Sequence, residues 1–420
     1  MTRNTADKLL LRIERTAIGC SAMKRKVAII IERANVALGG AERSVLELAA
    51  ALSALDLEVD VLAAKGRTDT GNVHILCPKT GGRRVGYFTF EKAVKEHLSQ
   101  NSYEIIHSVL PFEFADVYQP RGGAYAESIL RNSASYENRF AEWYKKLTAF
   151  TNWRRTVLAH AERKLAQRAD GPVIAALSRY VAEQFKQRYG TDQRRIVTIP
   201  NGIKTDRPIN TNQADRLRAE VLAKLRVKES DKPVLFLFVA NNFRLKGLAP
   251  LIRAISVAAR HEAHRKGYLI VVGSGKRLKY AELAQKLDAP KAGRRVVFLG
   301  TVTHIQNVLS IVDVAALPTF YDPSSRFILE ALAAGKPVIT TRFNGATDLF
   351  VKDRHGKVIE TPEDTNSLAE AVAHFTDTDN IRDASQAIAK DNLKDSVSIR
   401  RAAGQLNELY ESILERKGRK

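Results

Sequence analysis

Short apolar runs rich in β-branched residues alternate with amphipathic helical stretches along nearly the whole chain, and this alternation restricts the fold to a parallel α/β architecture. In the first half the runs fall at 27–31, 59–63, 105–107 and 173–177. In the second half they fall at 234–239, 269–272, 296–299, 314–317 and 338–340. Helical patterns such as 41–55, 248–259 and 327–334 lie between them. Strands separated by helices pair in parallel and are covered on both faces. A length of 420 residues exceeds one ordinary core, so the two series predict two Rossmann-like domains facing each other across a cleft. The break is expected at Ile199-Pro200-Asn201-Gly202, where a strand ends in turn residues. The division that follows is an extension at 1–22, a first domain at 23–203, a linker at 204–230, a second domain at 231–392 and a final helical segment at 393–420.

Composition narrows the setting. The two cysteines, Cys20 and Cys77, supply neither a disulfide framework nor a zinc pattern, which fits a reducing cytoplasm. Apolar runs such as 234–240 are too short to cross a bilayer, and the Leu9-Leu10-Leu11 run is broken by Arg12 and Glu14, unlike a signal peptide. The formal charge of +21 calls for an anionic partner: nucleic acid, an anionic membrane surface or a phosphorylated substrate.

Ligands of open α/β sheets bind beyond the carboxyl ends of the strands, so the loops there carry the chemistry. The first loop leads through Gly39-Gly40 into a helix, where free amides and the helix dipole face an anion. It lacks the G-x-G-x-x-G dinucleotide fingerprint. A second, Asn241-Asn242-Phe243-Arg244-Leu245-Lys246-Gly247, puts two cations at the start of a helix, where both could reach a diphosphate. In the third, Asp322 and Glu330 flank Pro323-Ser324-Ser325-Arg326-Phe327. A carboxylate accepts two hydrogen bonds and matches the paired hydroxyls of a ribose or hexose. Glu330 sits in an apolar helix, where an unpartnered carboxylate is costly. Asp377-Thr378-Asp379 reads as helix-capping residues rather than a metal motif, and His261 with His264 as surface residues.

These segments, with Ile199-Pro200-Asn201-Gly202-Ile203, Val272-Gly273-Ser274-Gly275, Phe298-Leu299-Gly300, Asp313-Val314, Glu330-Ala331-Leu332 and Gly335-Lys336-Pro337-Val338, resemble the GT-B glycosyltransferases of family 4 in the family's order. Asp116-Val117-Tyr118 and Ala124-Tyr125-Ala126-Glu127 resemble the acceptor-domain signature of the lipopolysaccharide core glucosyltransferase I group. The resemblance implies a retaining hexosyl transfer from a nucleotide diphosphate sugar, UDP-glucose by default, to a saccharide or lipid-linked acceptor in cell-envelope synthesis, without a metal. It implies that Glu330 binds the ribose and that Asp322, one methylene shorter than the family's Glu, contacts the donor sugar. Lys246 and Arg244 would hold the diphosphate, approached by Gly39 and Gly40 and by the amides of Ser325, Arg326 and Phe327. Gly273 and Val302 fall among the donor-side residues, and Asp116, His107 and Glu127 on the acceptor side. Asp116, Asp322, Arg244 and Lys246 are the expected catalytic set. The final helix would cross back to the first domain. A sugar-nucleotide-binding or scaffold protein of weak activity is the alternative, kept open by Asp322 and Pro323-Ser324-Ser325. A pyridoxal-phosphate phosphorylase finds no matching segment.

Residues 140–168 hold Trp143, Trp153, Tyr144 and Phe150 among seven basic and two acidic residues. Cationic helices with interfacial aromatics suit an anionic membrane surface, which predicts a peripheral protein at the inner face of the cytoplasmic membrane. No motif that reads nucleic acid is present.

Overall fold

The computed structural model describes residues 24–35, 40–67, 71–79, 84–148, 151–261, 264–288 and 294–418. The extension at 1–22, Gly39 and Phe150 lie outside the described residues. The chain forms two all-parallel sheets. In the first, β1 (Lys26–Ala34), β2 (Glu58–Gly66), β3 (Val73–Ile75), β4 (Ile105–Ser108), β5 (Val117–Tyr118), β6 (Val173–Ala176) and β7 (Ile196–Thr198) take the order β3-β2-β1-β4-β5-β6-β7. In the second, β8 (Val234–Val239), β9 (Gly267–Val272), β10 (Val296–Gly300), β11 (Val314–Leu317), β12 (Val338–Thr341) and β13 (Gly356–Ile359) take the order β10-β9-β8-β11-β12-β13.

The apolar runs are continuous because each strand feeds two cores. Val27, Ile29 and Ile31 of β1 enter the cluster under helix Gly40–Ser53, while Ala28 and Ile30 enter the cluster on the opposite face. β3 and β5 escape the sequence pattern because three- and two-residue strands carry almost no periodicity, and β13 because Gly356 and Lys357 leave it only two apolar residues.

The stretch 204–230 is less a linker than expected. Asn210 caps helix Thr211–Leu225, whose Ala214, Val221 and Leu225 belong to the second core. The chain passes between the sheets twice in one place: Ile203 pairs with Ser398, its N–H donating to Val397 O (3.0 Å) and its carbonyl accepting from Ile399 N–H (2.7 Å). Helix Ile399–Gly418 then buries Ile399, Leu406, Leu409, Tyr410 and Ile413 in the core under β1.

A buried carboxylate organises the rim of the first sheet. Glu162 is fully buried and accepts from Tyr118 Oη (2.7 Å), Tyr189 Oη (2.8 Å) and Tyr125 N–H (2.7 Å). Burial pushes its carboxyl up to about 7, against the pull of these three donors. The folded protein thus holds this proton more tightly than the unfolded chain does. Stability from this group is present below about pH 4.5 and falls as pH rises through about 7, by an amount of order 3 kcal/mol. Urea unfolding at about pH 5 and 7.5 should show a shallower pH slope in Glu162→Gln than in the native chain; equal slopes would exclude this assignment.

Candidate active site

In both sheets the strand order reverses beside the first strand, between β1 and β4 and between β8 and β11. Loops diverge from such a point and leave a crevice beyond the carboxyl ends. The crevice of the second sheet brings together Lys246, after β8, and Asp322, after β11. Lys246 Nζ donates to Asp322 Oδ2 (2.7 Å) and to the Tyr321 carbonyl (2.9 Å). Gly247 (φ +78°) makes this approach possible, since a Cβ there would lie 1.9 Å from the Pro318 carbonyl oxygen.

Helix Arg326–Ala333 opens beside this pair. Ser325 is its N-cap, its Oγ accepting from Ile328 N–H and its own N–H donating to Asn344 Oδ1 (3.3 Å). Phe327 is buried in the second core, which leaves only its backbone for a ligand. Glu330 stands one turn on, its carboxylate 3.7 Å from Arg326. Burial pushes its carboxyl up from the usual range, while Arg326 and Arg43 pull it down. A cavity of about 260 Å³ adjoins it, lined by Ile203, Arg207, Leu309, Lys336 and Glu330 itself.

The first domain faces this helix directly. A Cβ on Gly40 would lie 3.5 Å from Arg326 Cδ. Glu47, on the same helix, accepts from Arg326 Nη2 (2.9 Å) and Arg43 Nε (3.1 Å) and pairs with Arg207. Gly123 (φ +69°) admits the donor-side loop, since a Cβ there would lie 1.9 Å from Tyr321 Oη. Ser178 Oγ donates to Pro323 O (2.9 Å), and Tyr321 Oη donates to Gln184 Oε1 (3.0 Å).

Two family models match the chain: "Glycosyltransferase Family 4" over residues 38–207 and "Glycosyl transferases group 1" over residues 233–378. The chain belongs to the family 4 glycosyltransferases. The lipopolysaccharide glucosyltransferase WaaG of Escherichia coli (strain K12) is 24% identical over 347 residues, covering 80% of this chain and 85% of that protein. D-inositol 3-phosphate glycosyltransferase of Corynebacterium glutamicum (strain R) is 25% identical over 262 residues, 60% of each. Among solved structures, WaaG matches with a TM-score of 0.70 at 20% identity, over 91% of this chain and 99% of that one. Anabaena HepE in complex with UDP-glucose matches with a TM-score of 0.64 at 16% identity, over 92% and 99%. The fold is GT-B.

Within this glycosyltransferase several expected site residues stand elsewhere. Arg244 is not at the Lys246–Asp322 pair. The turn at 242–247 sends Phe243 into the core and Arg244 to the first domain, where it stacks on Tyr136 (3.7 Å) and donates to Asn132 O (2.8 Å), Asn132 Oδ1 (2.9 Å) and Ser135. Asp116 precedes β5 and so lies at the amino edge of the sheet, away from the cleft. Its carboxylate accepts from Ile106 N–H (2.9 Å) and pairs with Lys417 (2.7 Å), fastening the crossing helix. Glu127 is buried and held by Arg131 (2.7 Å), Arg188 and Tyr180 Oη (3.1 Å). Burial pushes its carboxyl up, but the two arginines more than offset this and it ends below the ordinary range. It ties two helices together rather than facing an acceptor. His107 is fully buried, 2.5 Å from Tyr410 Oη of the crossing helix, and burial pushes its imidazolium down to about 3.

Gly273 (φ +133°) lets two loops close, because a Cβ would lie 1.8 Å from Ala240 O. Val302 packs against the second core. Asp377 caps helix Thr378–Lys390, and among the described residues no group of three metal-ligating side chains occurs. Sequence reasoning missed Glu47 and Arg121. The Pro120-Arg121-Gly122-Gly123 turn after β5 was the one signal for Arg121.

Proposed function

We propose that this enzyme transfers a hexose with retention from a nucleotide diphosphate sugar, UDP-glucose or a close relative, to a saccharide or lipid-linked acceptor of lipopolysaccharide or envelope polysaccharide synthesis. One observation carries the reading: Lys246, Asp322 and the half-buried Glu330 line one side of a cleft whose other side is the start of helix Gly40–Ser53. Glu330 accepts from the ribose diol, and the cavity beside it takes the nucleoside. Asp322 accepts from hydroxyls of the sugar. Lys246 meets the negative charge that grows on the leaving diphosphate as an oxocarbenium-like transition state forms. Fixed cations take the part a metal plays elsewhere. A panel of UDP-, GDP- and ADP-sugars tests the donor: one base class should raise the melting temperature, and no stabilisation by any of them would overturn the reading. The anomeric configuration of the product, read by NMR, tests retention.

The acceptor side is membrane-facing in this reading, which places the enzyme on the cytoplasmic leaflet. Phe140 and Trp153 are 69% and 75% exposed, with Trp143, Tyr144 and Leu147 also in solvent on helix Arg139–Leu147. Several basic residues nearby are already paired: Arg154 with Glu32, Lys146 with Glu142, and Lys164 and Arg168 with Glu113. Insertion of the apolar side chains therefore contributes more to membrane binding than charge attraction does. Replacing Trp143 and Trp153 by Ser should cut co-sedimentation with phosphatidylglycerol vesicles about tenfold, and unchanged binding would exclude this face. Among the described residues no helix is long and apolar enough to span a membrane.

A further inference from the structure

The cleft holds more positive charge than it neutralises. Gly40, Ser44 and Glu47 share one face of helix Gly40–Ser53 at intervals of four and three residues. Gly40 and Glu47 meet Arg326, while Ser44 Oγ accepts from Arg121 Nη1 (2.9 Å), which also donates to Asn201 Oδ1 (2.9 Å). Two guanidinium groups from different domains thus lie along a single helix face that begins at a helix amino terminus. Arg121 Nε and Arg326 Nη1 are both shut off from solvent, and neither has a hydrogen-bond partner. A buried, unpartnered N–H on a charged group is costly, more so beside a second cation. Burial and the neighbouring Arg326 push the Arg121 guanidinium down to about 9. The cluster counts Arg43, Arg121, Arg207 and Arg326 against Glu47 and Glu330, an excess of two positive charges. A pyrophosphate diester carries two negative ones.

We propose that Arg121 and Arg326 form a clamp for the diphosphate of the donor, and that Glu47 is an internal anion which holds Arg326 until the diphosphate takes its place. The proposal rests on the donor-binding reading above and replaces Arg244 as the arginine at the phosphates. When the two domains part, Nε of Arg121 and Nη1 of Arg326 gain access to phosphate oxygens, with the amino terminus at Gly40 behind them. Glu47 retains Arg43 and Arg207 as partners, so releasing Arg326 does not strand its carboxylate.

Inorganic pyrophosphate, titrated calorimetrically at low salt, is the probe. Arg121→Gln and Arg326→Gln should each weaken it about tenfold or more, the loss expected for a charge-assisted hydrogen bond. Glu47→Gln should tighten it several-fold, a gain that misfolding cannot produce. Affinities of the two arginine variants within about twofold of native, or no pyrophosphate binding by the native chain at millimolar concentration, would overturn the clamp. A Glu47→Gln variant that binds no better would overturn the role of Glu47. If UDP, GDP and ADP all bind the native enzyme no more tightly than pyrophosphate, the donor reading falls while the clamp stands.

Discussion

Replacing Glu330 by Ala is expected to abolish donor binding within the usable concentration range, with turnover falling at least a hundredfold. Two hydrogen bonds from the ribose diol to a carboxylate contribute roughly 1.5–3 kcal/mol each when the acceptor is charged. Losing both costs about two to four factors of ten in affinity. The site magnifies the loss, because the charge of the half-buried Glu330 is held by Arg326 and Arg43, which its removal leaves less balanced. Donor affinity by calorimetry and turnover at saturating acceptor check the prediction. Glu330→Gln keeps the shape and one acceptor oxygen, so it should recover part of the binding. An alanine variant that binds and hydrolyses donor like the native enzyme would sink the assignment of Glu330 to the ribose.

Lys246→Ala should act differently, lowering kcat about a hundred- to a thousandfold with a smaller change in donor affinity. Charge on the diphosphate grows as the glycosidic bond breaks, so a cation fixed beside it acts mainly on the transition state. Asp322 holds the ammonium at 2.7 Å and the Tyr321 carbonyl holds it at 2.9 Å, which costs no reorganisation during reaction. Asp322→Asn should lower turnover too, and the double variant should be less damaging than the product of the single effects, because the two residues form one unit. A loss of donor affinity with kcat unchanged for Lys246→Ala would assign the lysine to binding alone.

The parts of the site that were legible in the sequence share one property. Lys246 and Asp322 lie in loops that follow a strand, Glu330 lies in the helix that the second of these loops opens, and a parallel strand delivers its following loop to one edge of the sheet. Arg244 stands only two positions from Lys246, yet the direction of its side chain depends on a single turn, which spacing does not encode. Asp116 was set on the acceptor side by resemblance alone, and the strand pattern offered no check on it. With β5 only two residues long, nothing in the pattern says that Asp116 precedes a strand instead of ending one.

Sequence alone determined the two parallel sheets, because a strand covered on both faces must be apolar at every position and Val27 to Ile31 is such a run. It also determined the family and the donor-side loops, which are local segments in a set order. Tertiary structure alone decided how the two halves meet. Glu47 reads as a surface acid on an amphipathic helix and Arg121 as a turn residue. Domain packing sets Glu47 in contact with Arg326 and brings Arg121 within its field, each some two hundred residues or more away along the chain. Charge pairing across a cleft is a matter of distance in space, and no periodicity along the chain records it.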